Sequence, residues 1–109
     1  MNVYRTAPAR AESTHRLVLE GEFDLSNTIQ ARAGMNDVLE PGSVVELDLG
    51  GVTFMDTAGA RFLLWAGSNA QVCGGRVVLT AMSPPVQRLL VLAGADAGVR
   101  DVCHWTLAS

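Results

Sequence analysis

Apolar and polar residues alternate over residues 44–49 (VVELDL), so that valine and leucine side chains share one face and the two acidic side chains share the other. A period of two predicts a strand with a buried face, and we expect this segment to be the central strand. Residues 15–20 (HRLVLE) and 76–80 (RVVLT) predict two more strands. Residues 3–4 predict a short edge strand, and residues 99–105 are β-prone enough to add a last one.

Three helices are predicted between the strands, each preceded by a residue that can cap the free N–H groups of a first turn. Their predicted bounds, with the capping residue of each, are about residues 27–39 (Ser26), 57–73 (Asp56 or Thr57) and 84–94 (Ser83). Gly21 is expected to break the strand before it, and the Gly50-Gly51 pair is expected to bend the chain. The alternation predicts an α/β fold, with a mixed β-sheet of about four to five strands and about three helices packed on it.

The chain has 109 residues, of which 49% are apolar and 17% are charged. This length suits one packed domain, so we expect a single domain over residues 1–109. Residues 1–14 should hold the edge strand and a loop (about residues 6–13), and residues 15–105 the core. No segment approaches the ~20 apolar residues of a membrane span and no signal peptide is evident, so the cytoplasm is the expected location.

All eight basic residues are arginine, and the net charge is −3. Nucleic acid and membrane surfaces are therefore not expected partners, because both are bound through basic patches. The lack of lysine excludes Schiff-base chemistry and a phosphate-binding P-loop. His15 and His104 stand in no motif with a nucleophile or a second ligand. We expect no catalytic activity, no metal and no cofactor.

Cys73 and Cys103 are the two cysteines, and they do not have Cys-x-x-Cys spacing. Free thiols, buried or half-buried, are the simpler interpretation. The alternative is a redox pair, which requires that the fold bring the two Cα atoms to the ~5.5–6 Å that a disulfide prefers.

The turn Asp56-Thr57-Ala58-Gly59 separates the central strand from the second helix. A hydroxyl there is exposed at a helix N-terminus, where the macrodipole favours added negative charge. A phosphate on Thr57 would change binding more than folding, since it adds roughly −1.5 to −2 charges beside Asp56 and Asp24. The alternative is that Asp56 or Thr57 only caps the helix.

The outer face of the second helix has the composition of a contact surface. On a helical wheel the apolar residues fill one wide arc, and Trp65 falls opposite it with Arg61 and Ser68. Tryptophan and arginine dominate contact hot spots, so this face predicts a site for a protein partner. The alternative is that a neighbouring loop or the C-terminal segment covers Trp65.

Several motifs, in this order and spacing, resemble the STAS domains of anti-sigma factor antagonists. They are residues 21–24 (GEFD), residues 47–49 (LDL) followed by residues 52–59 (VTFMDTAG), and residues 83–88 (SPPVQR). The likeness extends over about residues 17–102. In that family a partner anti-sigma factor, itself a Ser/Thr kinase, phosphorylates the first hydroxyl residue after the loop aspartate, and a phosphatase reverses the modification.

The resemblance implies roles for individual residues. By position the phosphate acceptor is Thr57, and Ala58 leaves no second hydroxyl beside it. Asp24 matches the family's acidic residue next to the acceptor, or it simply starts the turn before Ser26. The residues expected to bind a partner are Asp24, Asp56, Thr57, Ala58, Gly59, Arg61, Trp65 and Ser68.

The leading hypothesis is an anti-sigma factor antagonist that binds an anti-sigma factor kinase, releases a sigma factor and is switched off by phosphorylation at Thr57. A second hypothesis, from a different class, is a non-phosphorylated STAS accessory subunit of a membrane lipid or anion transport ATPase complex. A receiver-type aspartyl phosphate acceptor is disfavoured, because it needs an acidic pair after the first strand and a downstream lysine.

Overall fold

Five strands form one sheet and lie side by side in the order in which the chain makes them. The computed structural model describes residues 1–6 and 14–105. The strands are β1 (Asn2–Thr6), β2 (Thr14–Phe23), β3 (Val44–Met55), β4 (Arg76–Met82) and β5 (Cys103–Trp105). The helices are α1 (Thr28–Val38), α2 (Thr57–Val72), α3 (Pro84–Leu92) and α4 (Asp96–Val102), and a 3₁₀ turn (Leu25–Asn27) precedes α1.

The sheet is mixed, as predicted. β1 runs antiparallel to β2, whereas β2, β3, β4 and β5 are parallel neighbours. Parallel neighbours need crossover connections, and the helices supply them. Because these strands share one direction, β2, β3 and β4 all end at the same side of the sheet, which we call the C-terminal edge. The α/β fold class is confirmed, although the described residues form four helices rather than about three.

The core lies between one face of the sheet and the helices, and all four helices contribute to it. Its largest buried side chains include Phe23, Phe62, Leu17, Leu19, Met35, Leu63, Leu79 and Leu90. On β3 the predicted alternation is confirmed, since Val45, Leu47 and Leu49 are buried on this face. Glu46 on the other face is also buried, and its Oε1 lies 3.7 Å from Arg16 Nε.

β2 and β3 are longer than predicted, because their glycines lie within the strands. Gly21 has φ +95° and lies where the pairing of β2 with β3 shifts register. Gly51 approaches Glu20 so closely that a Cβ at position 51 would lie 2.8 Å from Glu20 Cγ. Strand glycines of this kind mark bulges and close approaches. The prediction that Gly21 ends its strand is wrong, because both strands run on to the C-terminal edge. The register of the β2–β3 pairing does shift next to Gly21 and at Gly50-Gly51.

Two of the predicted helix caps differ in the structure. Ser26 is not an N-cap: it lies in the 3₁₀ turn, where its hydroxyl donates a hydrogen bond of 2.6 Å to Asp24 Oδ1. The turn includes Asn27, the first residue of the predicted helix, so α1 begins at Thr28. Ser83 does occupy the N-cap position of α3, but its side chain makes no capping hydrogen bond.

A fourth helix replaces most of the predicted last strand. α4 buries Val99 and places Asp96 in its first turn and Arg100 in its last, where the helix dipole favours each charge. Only Cys103–Trp105 forms a strand, so the strand predicted over residues 99–105 is wrong for its first four residues. Except for Thr6, the predicted loop over residues 6–13 lies outside the described residues. Within the described residues, no helix has the length and apolar character needed to cross a membrane.

α2 packs very closely on the end of α4. A Cβ at Gly67 would lie 2.5 Å from the carbonyl oxygen of Val102 and 2.8 Å from Cys103 Sγ. Because backbone atoms occupy that space, only glycine fits there without a shift of one element. The contact holds the middle of α2 against α4 and β5, while its first turn reaches the C-terminal edge.

Candidate functional site

Two loops meet at the C-terminal edge, one after β2 and one after β3. The backbone N–H of Asp56 donates a hydrogen bond of 3.2 Å to the carbonyl oxygen of Phe23. Asp24 directly follows Phe23, and Thr57 directly follows Asp56. The fold therefore places the expected acceptor Thr57, at the start of α2, beside the loop that holds the acidic residue Asp24.

Asp56 is the residue that caps α2. Its Oδ1 accepts a hydrogen bond of 2.9 Å from the N–H of Ala58, and its carbonyl oxygen accepts one of 3.0 Å from the N–H of Gly59. Thr57 is the first residue of the helix and is exposed. Of the two capping candidates, the structure selects Asp56, which leaves the Thr57 hydroxyl at the surface.

Removing this cap should destabilise the chain measurably. We expect Asp56→Ala to lower the free energy of unfolding by about 1 kcal/mol, because the Ala58 N–H loses its acceptor. Asp56→Asn keeps an oxygen in the same place and should retain most of that stability while removing the charge. Urea denaturation of both variants measures the difference. Equal losses would mean that the charge, rather than the hydrogen bond, stabilises the first turn.

Gly59, one of the residues expected to bind a partner, faces inward. It is buried, and a Cβ there would lie 2.7 Å from both Cγ and Cε of Met55. The expectation of a direct contact is corrected accordingly: Gly59 lets the first turn of α2 lie on Met55. Ala58 beside it is half-buried.

Exposed apolar side chains adjoin the two loops, and the sequence analysis missed them. Leu25 is 72% exposed, Ile29 is 76% exposed and Phe54 is 51% exposed. Leu25 follows Asp24, Ile29 comes four residues later, and Phe54 pairs with Glu22 at the end of β3. We call Leu25, Ile29 and Phe54 the apolar rim. The sequence could have indicated the exposure of Ile29, because Ile29 does not lie on the helical face that holds the buried residues of α1.

The outer face of α2 differs from its helical-wheel prediction at Trp65. Arg61 and Ser68 are exposed, but Trp65 is half-buried. Its ring centroid lies 5.9 Å from that of Phe62, and the Arg32 guanidinium sits 4.8 Å from the Trp65 centroid. Trp65 is therefore not a freely exposed anchor. Among the described residues, Arg32 of α1 supplies part of this cover, because α1 packs beside α2.

The two cysteines are free thiols in different surroundings. Cys73 is exposed at the end of α2, whereas Cys103 is buried beneath Gly67, and its Sγ contacts the carbonyl oxygen of Leu63 at 3.6 Å. Six residues of helix separate Gly67 from Cys73, which is about 9 Å along the axis. The structure therefore does not bring the proposed redox pair together.

Alkylation should distinguish the two thiols. Burial raises the pKa of Cys103 to about 12, so this thiol stays protonated and shielded near neutral pH. We expect iodoacetamide to add one group to the native chain, at Cys73, and two groups to the chain unfolded in urea. Peptide mass analysis locates the modification. Comparable labelling of both cysteines in the native chain would contradict the burial of Cys103.

No metal-binding cluster is formed by the part of the chain that the structure describes, since no three His, Cys, Asp or Glu side chains gather there. The C-terminal edge instead combines a hydroxyl, two carboxylates and an apolar rim. Such a surface is suited to contact with another protein.

Comparison with known proteins identifies structural relatives. An anti-sigma factor antagonist from Mycobacterium paratuberculosis superposes with a TM-score of 0.73 at 17% identity, over 97% of this chain and 83% of that one. The anti-sigma factor antagonist SpoIIAA, in its unphosphorylated form, gives a TM-score of 0.72 at 21% identity, over 99% of this chain and 89% of that one. At these identities the likeness shows a shared fold. No curated protein sequence matches the chain.

A family model shows the relationship at the level of sequence. The family described as "Mlab, STAS domain" matches residues 6–102. The match includes β2 to α4 and therefore both loops of the C-terminal edge. It confirms the resemblance predicted from the motifs. Because it extends over most of the 109 residues, this chain belongs to the STAS domain family.

Proposed function

We propose that this chain is an anti-sigma factor antagonist, which binds an anti-sigma factor and thereby releases a sigma factor. The observation that carries the proposal is the C-terminal edge, where the exposed Thr57 lies with the carboxylates of Asp24 and Asp56 beside the apolar rim. The fold shared with two anti-sigma factor antagonists supports it. In this proposal the chain acts by binding, and the chemistry is performed by its partners.

Phosphorylation of Thr57 is the proposed off-switch. The partner anti-sigma factor acts as a kinase: Thr57 Oγ1 attacks the γ-phosphorus of ATP, ADP leaves, and the hydroxyl proton passes to a base of the kinase. The phosphate adds about −1.5 to −2 charges next to two carboxylates. A surface complementary to the unmodified edge would then meet excess negative charge, and the complex would weaken. A phosphatase hydrolyses the phosphate and restores binding.

The test uses anti-sigma factor kinases encoded in the same genome. Each is incubated with the chain, ATP and Mg²⁺, and the intact mass of the chain is measured. We expect one added phosphate, lost in Thr57→Ala and retained in Thr53→Ala, which removes an exposed hydroxyl four residues earlier. A phosphate that persists in Thr57→Ala would overturn the assignment of the acceptor. If no candidate kinase modifies the chain and none forms a complex with it, the proposed function would be overturned.

The apolar rim should contribute to the affinity of that complex. We expect Ile29→Ala to weaken binding by about 10-fold, because removing three carbon atoms that the partner buries costs more than about 1 kcal/mol. Leu92→Ala is the matched control, since Leu92 is 84% exposed on α3. Isothermal titration calorimetry compares the two. Equal affinities for the two variants would exclude the rim from the interface.

A further inference from the structure

Thr57 and Arg61 lie one helical turn apart on the exposed side of α2. Residues four positions apart are neighbours on a helix, with Cβ atoms about 5–6 Å from each other. A helical side chain leans toward the N-terminus and covers the turn before its own Cα. Arg61 is therefore placed to cover the turn that begins with Thr57.

Arg61 is not committed to another group. It takes part in none of the ion pairs, hydrogen bonds or ring contacts formed among residues 1–6 and 14–105. The neighbouring ring of Trp65 already carries the guanidinium of Arg32. The guanidinium of Arg61 is consequently available to a new anion on its own helix.

The backbone N–H groups of the two residues after Thr57 are already in use. Asp56 accepts the hydrogen bonds of the Ala58 N–H, through its carboxylate, and of the Gly59 N–H, through its carbonyl oxygen. An anion on Thr57 would have to displace these bonds in order to use the amides. A side-chain donor one turn further along the helix requires no such rearrangement.

We propose that Arg61 is the intramolecular partner of a phosphate on Thr57 and holds it by a charge-assisted hydrogen bond along α2. The inference rests on the proposed phosphorylation and specifies what the phosphate does to the surface. An acidic group four positions before a basic one is the favourable orientation on a helix. The planar guanidinium also matches two phosphate oxygens at once.

This pairing gives phosphorylation two effects on the docking surface. The phosphate adds negative charge, and it also withdraws the cation of Arg61, which is open to an acidic partner residue in the unmodified chain. Phosphorylation therefore removes an attraction as well as adding a repulsion. The modified helix itself stays folded, because its new charge is paired locally.

The titration of the phosphate tests this pairing directly. Phosphothreonine is installed at position 57 during translation, and ³¹P NMR follows its second ionisation, normally near pH 6, from about pH 5 to 8. Arg61 stabilises the dianion, so Arg61→Gln should raise the titration midpoint by about 0.2–0.4 pH unit. Arg61→Lys keeps the charge and should stay closer to the parent chain.

The control is Arg76→Gln, which removes the same charge at the start of β4. Arg76 pairs with Val44, the first residue of β3, and so lies at the opposite end of the strands from Thr57. This variant should titrate like the parent chain. Equal midpoints for the parent and Arg61→Gln would overturn the inference. Because phosphothreonine is incorporated during translation, the titration does not depend on any kinase and decides only the role of Arg61. Failure of every candidate kinase to phosphorylate the chain would instead count against the proposed function.

Discussion

Replacing Phe62 by alanine should lower the free energy of unfolding by about 3–5 kcal/mol. Phe62 has no exposed surface, and its ring centroid lies 5.3 Å from that of Phe23. The substitution removes apolar contacts and leaves a cavity between α2 and the end of β2. Since a domain of this size is stable by only about 5–15 kcal/mol, much of its stability would be lost. The urea midpoint of the variant measures the effect.

Phe54→Ala is the matched control for this prediction. Phe54 is 51% exposed, so the same change in chemistry should cost less than about 1 kcal/mol of stability. The two variants also separate stability from binding. Phe54→Ala changes the apolar rim and should affect binding, whereas Phe62 has no exposed surface and its replacement should affect stability. A loss below about 1 kcal/mol for Phe62→Ala would contradict its place in the core.

Thr57→Glu should weaken the complex with the anti-sigma factor on the order of 100-fold, because like charges brought together at an interface cost several kcal/mol. The substitution places a permanent negative charge at the first position of α2, next to Asp56 and beside the loop that holds Asp24. The chain itself should remain as stable as the parent, since a negative charge suits a helix N-terminus. Calorimetric titration and urea denaturation measure the two quantities separately.

Val72→Glu provides the control for added charge. Val72 is 87% exposed and lies at the other end of α2, about 22 Å along the helix axis from Thr57. The same charge there should leave the affinity within about twofold, because solvent screens exposed charges beyond ~10 Å. A similar loss for both variants would mean that net charge, rather than the C-terminal edge, governs binding.

The sequence predicts the parts of this fold that depend on local periodicity and capping. The alternation over residues 44–49 identifies β3, and Asp56 together with the apolar phase of the following residues identifies the start of α2. These signals are local, since a period and a cap act within a few residues. The position of Thr57 at the start of α2 could therefore be predicted before the structure was available.

Features that depend on packing between elements could not be predicted in this way. Trp65 lies on the polar side of its own helix, and only the packing of α1 beside α2 brings Arg32 onto its ring. The short helix α4 is stabilised by the burial of Val99, a tertiary contact that outweighs β-propensity. The apolar rim likewise combines Leu25 and Ile29, which follow β2, with Phe54 at the end of β3. These segments are distant in sequence and are joined next to the rim by the hydrogen bond from Asp56 to Phe23.

The measurement that tests the proposed docking surface most directly is its footprint. Amide chemical shifts of the ¹⁵N-labelled chain are recorded with and without an anti-sigma factor kinase from the same genome. The proposal predicts that perturbed amides cluster at residues 24–29 and 54–61, around Asp24, Thr57 and the apolar rim. Perturbations confined to the exposed side of α3 around Leu92, with the C-terminal edge unchanged, would contradict it.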